Sequence, residues 1–282
     1  GLNAFQYCRS LQSISIPSGV TDISNYAFDY CTSLTSVTLP SGLTRIGNSA
    51  FRYSGLTSVS IPATVTTFGT YAFAYNASLA SVDFNGNTEV KALGNYMFQY
   101  CTSLTEVTLP TSLTFLGTYT FRGSGLTRID LSGLTGLRYF GTTATACSAS
   151  SSVYLFADCA DLAEVILPEG FSGVGGRVFQ NCTSLTSFDF SGQTVIGTYA
   201  FQNTGLTSAH IPAITSTSNL GSGAFMDCSA LVTLTFEEGT RRLNNYAFQN
   251  CTSLTEITLP TSITGLQSDV FRGCTSLRKV TI

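Results

Sequence analysis

The sequence predicts a repeat solenoid, a stack of short coils in which each coil adds one strand to a parallel sheet. Three observations predict it. A phenylalanine recurs at Phe5, Phe28, Phe51, Phe73, Phe98, Phe121, Phe156, Phe179, Phe201, Phe225, Phe248 and Phe271, so the period is 23 residues, with one long spacing of 35 between Phe121 and Phe156. An alternating apolar pattern travels with it, as in Leu34, Val37 and Leu39. All seven prolines, Pro17, Pro40, Pro62, Pro110, Pro168, Pro212 and Pro260, fall just after that pattern.

Each element of the coil follows from these columns. The alternation at Leu34, Val37 and Leu39 suits a strand with one buried face. Proline has no N–H to give to a ladder, so it marks where the strand stops. An aliphatic or aromatic residue and usually a glycine follow (Ile46-Gly47, Leu93-Gly94, Leu116-Gly117, Ile196-Gly197), and the glycine is expected to allow a tight turn. One coil cannot bury its own apolar side, whereas stacked coils share a continuous core. At about 4.8 Å per strand, twelve coils would extend roughly 55 Å. The expectation is a single domain over 1–282. The excess in the long spacing, near 141–152 and reading GTTATACSASSS, is expected to be an inserted loop.

Composition narrows the function. Charged residues make up only 10% of the 282 residues against roughly 25% in an ordinary soluble protein, so hydroxyls and amides must carry solubility. Net charge is −3, which provides no basic footprint for nucleic acid or an anionic membrane surface. No apolar run is long enough for a membrane span. The opening GLNAFQYC lacks the basic start and apolar stretch of a signal peptide and begins inside a repeat, so preceding residues are expected to have been removed. Exposed terminal coils would be an aggregation risk, so flanking sequence or a partner is expected to cover the N-terminal end.

The columns L-x-x-V-x-L-P, I-G and A-F-x-x-C-x-S-L, seen in YAFDYCTSLTSVTLPSGLTRIG from Tyr26 and again from Tyr246, resemble the BspA-like, or Treponema-type, leucine-rich repeats over essentially the whole chain. The resemblance implies a right-handed leucine-rich-repeat superhelix of the α/β type with a parallel sheet on its concave face, here with about twelve 23-residue coils. It also implies secreted or surface-exposed bacterial proteins, some of which adhere to host matrix proteins.

Eight of the nine cysteines share a column three residues after the phenylalanine: Cys8, Cys31, Cys101, Cys159, Cys182, Cys228, Cys251 and Cys274. Ser54, Asn76, Ser124 and Thr204 interrupt the column and leave Cys101 without a cysteine neighbour. Buried free thiols are therefore expected, each behaving as a small hydrophobe, and disulfides are disfavoured. No C-x-x-C occurs, so no metal is expected. Cys147 lies in the polar insertion and is expected to be exposed. His210 is the sole histidine and sits in the outward strand position of SAHIP, across the coil from the cysteines. Without G-x-S-x-G, Walker or Rossmann signatures, neither catalysis nor a cofactor is expected.

The outward strand columns then carry the functional text. Most are serine or threonine. In the middle coils they become Asp83, Glu106, Asp130, Glu164 and Asp189, offset by Arg128 and followed by His210. This reads as an acidic ridge for a basic segment of a protein partner, or as carboxylates that keep a weakly charged sheet soluble, with Ca²⁺ a weaker option. Tyr7, Tyr30, Tyr53, Tyr75 and Tyr100 make a second stripe, two residues after the phenylalanine, where later copies carry Gly, Asp or Asn. They are read either as packing against each other or as a platform for a glycan. Protein binding by the concave face or the insertion is the leading expectation. A glycan-binding module and a passive surface spacer are the alternatives.

Overall fold

The computed structural model describes residues 1–143, 147–215 and 220–282. They form two compact units, Gly1–Leu137 and Arg138–Ile282. The units together hold about 11 turns, each of about 23 residues, of a parallel-strand β-solenoid, so the sequence period is the structural period.

In the first unit the strands Ser13–Ser15, Ser36–Thr38, Ser58–Ser60, Ser81–Asp83 and Arg128–Asp130 carry the alternating pattern. Pairing is parallel and sets like columns opposite each other, Ser13 with Ser36 and Ser60 with Asp83. The middle residue points into the core while its neighbours stay exposed, as in Ser58–Ser60 and Ser81–Asp83. The second unit repeats this arrangement with Glu164–Ile166, Ser208–Ile211, Thr233–Phe236, Glu256–Thr258 and Lys279–Thr281.

The pattern predicts one strand per coil, and the structure has a second. The aliphatic column before the glycine forms a narrow ladder of two-residue strands, Asp22–Ile23, Arg45–Ile46 and Thr67–Phe68 in register, then Ala92–Leu93 with Phe115–Leu116. In the second unit Tyr139–Phe140, Gly173–Val174 and Val195–Ile196 do the same. Two residues are too few to display a period, which is why the sequence does not announce them. The glycine that follows serves close approach and not a turn. A Cβ on Gly117 would fall 2.6 Å from the Asn95 backbone nitrogen, and one on Gly47 would fall 2.7 Å from that of Asn25. Coils meet backbone to backbone here.

The phenylalanine segment closes the coil by consecutive turns, and no described residue is helical. Its N–H groups alternate in their use. Tyr26, Phe28 and Tyr30 donate to Asn48, Ala50 and Arg52 of the next coil at 2.8–2.9 Å, while Ala27, Asp29 and Cys31 donate three residues back. Every one of these N–H groups is therefore paired without a helix or a regular strand. Rings of Phe5, Phe28, Phe51, Phe73, Phe98 and Phe121 consequently stack at 5.1–5.8 Å between centroids. Phe156 to Phe271 repeat the column in the second unit. Apart from the end members Phe5, which is exposed, and Phe271, which is half-buried, these rings are among the largest buried side chains.

All nine cysteines are free, with Cys8 exposed, Cys147 and Cys274 half-buried and the rest buried. The column has a role beyond volume. Cys31, Cys101, Cys182 and Cys228 donate their thiols to the carbonyls of Phe5, Phe73, Phe156 and Phe201 in the preceding coil, at 3.0–3.3 Å. Where the column lacks cysteine, Asn76 Nδ2 serves the Phe51 and Phe73 carbonyls together at 2.8 and 2.7 Å. Burial pushes Cys31 up to about 11 and Cys101 up to about 12.

Residues 144–146 of the insertion lie outside the described residues, but its flanks are docked. Ala149 and Val153 are buried, Thr198 N–H donates to the Ala149 carbonyl at 2.7 Å, and Ser152 pairs with Gly176. Cys147 corrects the expectation of an exposed thiol. The neighbouring apolar residues draw it inward, its thiol donates to the Phe140 carbonyl at 3.6 Å, and burial pushes its pKa up to about 12.

Two outcomes follow. Gly117→Ala is expected to destabilise the first unit by about 1–3 kcal/mol through overpacking, whereas Gly42→Ala, whose Cβ would meet nothing nearer than 3.9 Å, is expected to be near neutral; urea unfolding of the two variants checks this. In maleimide labelling at pH 8 read by mass spectrometry, Cys8 should react first, with Cys147 and Cys101 protected until denaturant is added. The raised pKa values also set a pH limit. The unfolded chain ionises its thiols near 8.5, while the folded chain holds these protons up to about 12. The stability from buried thiols is thus complete below pH 8 and lost as pH rises through 9–12.

Candidate functional site

The outward ridge residues are all exposed, with Asp83, Glu106, Arg128 and Asp130 in the first unit and Glu164, Asp189 and His210 in the second; all but Glu106 and Asp189 lie in strands. Three of the carboxylates have a conformational task. In proline coils the position after the last apolar strand residue has no N–H. In the coils of Asp83, Asp130 and Asp189 that position is Asn85, Ser132 or Ser191, whose N–H needs an acceptor. The aspartate two residues earlier supplies it, with Oδ1 at 2.7, 3.0 and 2.9 Å respectively. The signal was readable as Asp-x-Asn/Ser-Gly in coils that lack proline, but charge alone did not reveal it.

Each of these turns also opens a groove. Asp83 lines one of about 450 Å³ with Asn85, Asn87 and Thr108. Asp130 lines another of about 310 Å³ with Glu106, Arg128 and Ser132. There the Ser132 hydroxyl at 2.7 Å and its N–H, followed by Arg128 at 3.1 Å, hold the Asp130 carboxyl below the usual carboxylate range. In the second unit Asp189 shares a groove of about 370 Å³ with Glu169 and Gln193. Gln193 is the residue that sequence reasoning missed. It stands in a column that holds Leu43, Val65, Leu113 and Phe171 in other coils, with Thr240 a second polar member, and a polar side chain in a core column was the available signal.

His210 lies at the edge of this chemistry. Its Nδ1 is 2.7 Å from Thr235 Oγ1, and its Nε2 is 3.4 Å from the carboxylate of Glu237, which the column reading did not single out. Both side chains are more than half exposed, so the low-dielectric enclosure that would make an imidazole–carboxylate pair catalytic is missing. Among the described residues no three His, Cys, Asp or Glu side chains converge to hold a metal ion.

The tyrosine stripe is a stack. Tyr7, Tyr30, Tyr53, Tyr75 and Tyr100 follow one another at 4.4–5.4 Å between centroids, and the Arg52 guanidinium lies over Tyr30 and Tyr53. Their faces are thus turned to one another, leaving ring edges and hydroxyls outward. All five take a left-handed backbone, φ 53–63°, as do Asp158, Asn181, Asn203, Asp227 and Asn250 at the equivalent positions of the second unit. There amide–carboxylate bonds replace the rings, with Asn181 Nδ2 to Asp158 Oδ1 and Asn250 Nδ2 to Asp227 Oδ1, both at 2.8 Å.

The sequence matches the BspA type leucine-rich repeat region, in six copies, over residues 1–127, 87–192 and 194–282. Among solved structures it is similar to a leucine-rich repeat protein from Bacteroides ovatus, at 22% identity, with 99% of this chain and 81% of that one covered and a TM-score of 0.56. It is also similar to the T. pallidum leucine-rich repeat protein, at 28% identity over 62% of this chain and 78% of that one, with a TM-score of 0.54. A third likeness is to the pneumococcal vaccine antigen PcpA, at 20% identity over 96% and 74% of the two chains, with a TM-score of 0.61. No curated protein is matched by the sequence. With the repeat match spanning nearly all residues and the Phe, Cys and strand columns stacked as that repeat requires, the chain belongs to the BspA-type leucine-rich repeat family.

Proposed function

We propose that residues 1–282 work as one non-catalytic recognition module that binds another protein through the outward face of its strands, outside the bacterial cell or on its surface, with adhesion to host or matrix proteins as its role. The observation that carries this reading is the state of the ridge: Asp83, Asp130 and Asp189 fix their own turns yet remain exposed, each in a groove of 310–450 Å³. A preorganised acid costs a partner little ordering and is ready to meet a basic segment. Glu106 and Arg128 add charge and His210 adds an imidazole on the same face of their own units, against a background of serine and threonine hydroxyls. Among the described residues no helix is long and apolar enough to cross a membrane.

The glycan reading has less support, because sugar rings stack on aromatic faces and here those faces meet each other; Tyr7, at 54% exposure, is the most open of the stripe. A passive spacer would bind neither class.

The test sets the immobilised chain against purified matrix proteins on a biosensor and against a glycan array. The charge-removing variant Asp83→Asn/Glu106→Gln/Asp130→Asn retains an acceptor oxygen for each turn, which alanine would not. Its affinity for a matrix partner is expected to fall about tenfold or more, and wild-type binding is expected to weaken with salt. Matrix binding that the variant leaves unchanged would sink the ridge. Glycan binding lost on Tyr7→Ala would favour the second reading.

A further inference from the structure

The groove of the second unit contains an unexplained polar atom. Gln193 is 2% exposed and stands where other coils bury Leu43, Val65 or Phe171. Its Nε2 donates weakly to the carbonyls of Phe171 and Ser191, both at 3.4 Å, while its Oε1 is buried with no partner among the described residues. A leucine would fill the column without leaving an acceptor orphaned, so the amide is costly to the scaffold. The corresponding groove of the first unit shows the contrast, since the Asn87 Oδ1 there accepts the Glu89 and Val90 N–H groups at 2.9 Å.

What surrounds Gln193 has a single chemical character at one end. Asp189 and Glu169 line the same groove and are exposed. Asp189 gives Oδ1 to Ser191. The nearby Arg138 donates to the Glu169 backbone carbonyl, at 2.8 Å. The other wall is apolar. Ile166 lines it, and it is the one aliphatic residue in an outward column otherwise made of Ser, Thr, Asp and His. Two carboxylates and an amide oxygen beside an aliphatic wall call for a cation with several donors on an aliphatic stem.

We infer that this groove is a subsite for an arginine side chain of the protein partner. The stem lies along Ile166, and the planar guanidinium divides its donors between Asp189, Glu169 and Gln193 Oε1, which a single ammonium does less well. A divalent metal fits poorly, because among the described residues no third ionisable ligand joins the two carboxylates. The inference rests on the reading that the strand face receives a protein, and it names the chemistry that one groove selects.

The test uses small probes on the intact chain: N-acetyl-arginine-N-methylamide, its lysine counterpart and the neutral citrulline isostere, followed by NMR. Arginine is expected to shift the Gln193 side-chain amide and the Ser191 backbone amide saturably, with lysine weaker and citrulline silent. Gln193→Leu should fold at least as stably as the wild type and bind arginine about tenfold less tightly or worse. Asp189→Asn, which retains the turn acceptor, should weaken binding similarly. The inference is overturned if citrulline or lysine matches arginine, if Gln193→Leu binds as the wild type does, or if Ca²⁺ produces the saturable shifts and arginine does not. Such a failure removes this groove alone, since matrix binding by the whole chain is read separately on the biosensor.

Discussion

Successive coils must approach to backbone hydrogen-bonding distance on every side, and the other features of the fold follow from that approach. On the strand face it is ordinary parallel pairing. On the closing side it is met by an unusual device, alternate N–H groups directed to the next coil and three residues back. Once that spacing is imposed, the Phe rings have nowhere to go but face to face at 5.1–5.8 Å. The glycine column has no room for a Cβ. The Phe carbonyl, already holding one N–H of its own coil, presents its remaining lone pair to the next coil's thiol.

The same device explains which residues flank the phenylalanine. Two residues before and two after it the backbone is left-handed, a conformation that costs a bulky side chain roughly 1–2 kcal/mol. Two solutions appear. Asn and Asp tolerate the conformation and bond along the column, as Asn181 does with Asp158. Tyrosine does not tolerate it well, but a continuous ring stack offsets the strain, each pair contributing about 0.5–1.5 kcal/mol beyond burial. Arg177 shows the rule from another side, since it replaces a tyrosine at φ 60° and places its guanidinium over both Tyr154 and Tyr199. The chemical difference between the two units along this edge is thus two answers to one backbone requirement.

That history separates what the sequence displayed from what it hid. Period, strand column, proline stop and buried cysteines were legible because each is a side-chain choice repeated at 23 residues. The second ladder was hidden, since pairs such as Arg45–Ile46 and Thr67–Phe68 show no alternation. So was the reason for Gly117: a residue needed for close approach and one needed for a turn are spelled alike. Cys147 was misplaced because polar composition around it outweighed Ala149 and Val153, the two residues that dock the segment. In the site, column position gave the exposure of Asp83, Glu106 and Asp130 correctly, but hydrogen-bond roles belong to backbone geometry and could not be read from charge.

The exchange of proline for aspartate also ranks the charges on the strand face. A proline coil needs no acceptor at the turn and a coil without proline does, so Asp83, Asp130 and Asp189 stand where turn chemistry places them. Their presence is therefore set by the turn, and it is their exposure in grooves that bears on a partner. Glu106 has no such duty, lying two residues earlier in the pattern, in a coil that carries Pro110. The buried amide of Gln193 goes further, because the scaffold would be better served by leucine. Specificity is best sought where a residue works against the fold, and in this groove that residue is Gln193, with the aspartate and glutamate carboxylates supplying field rather than identity.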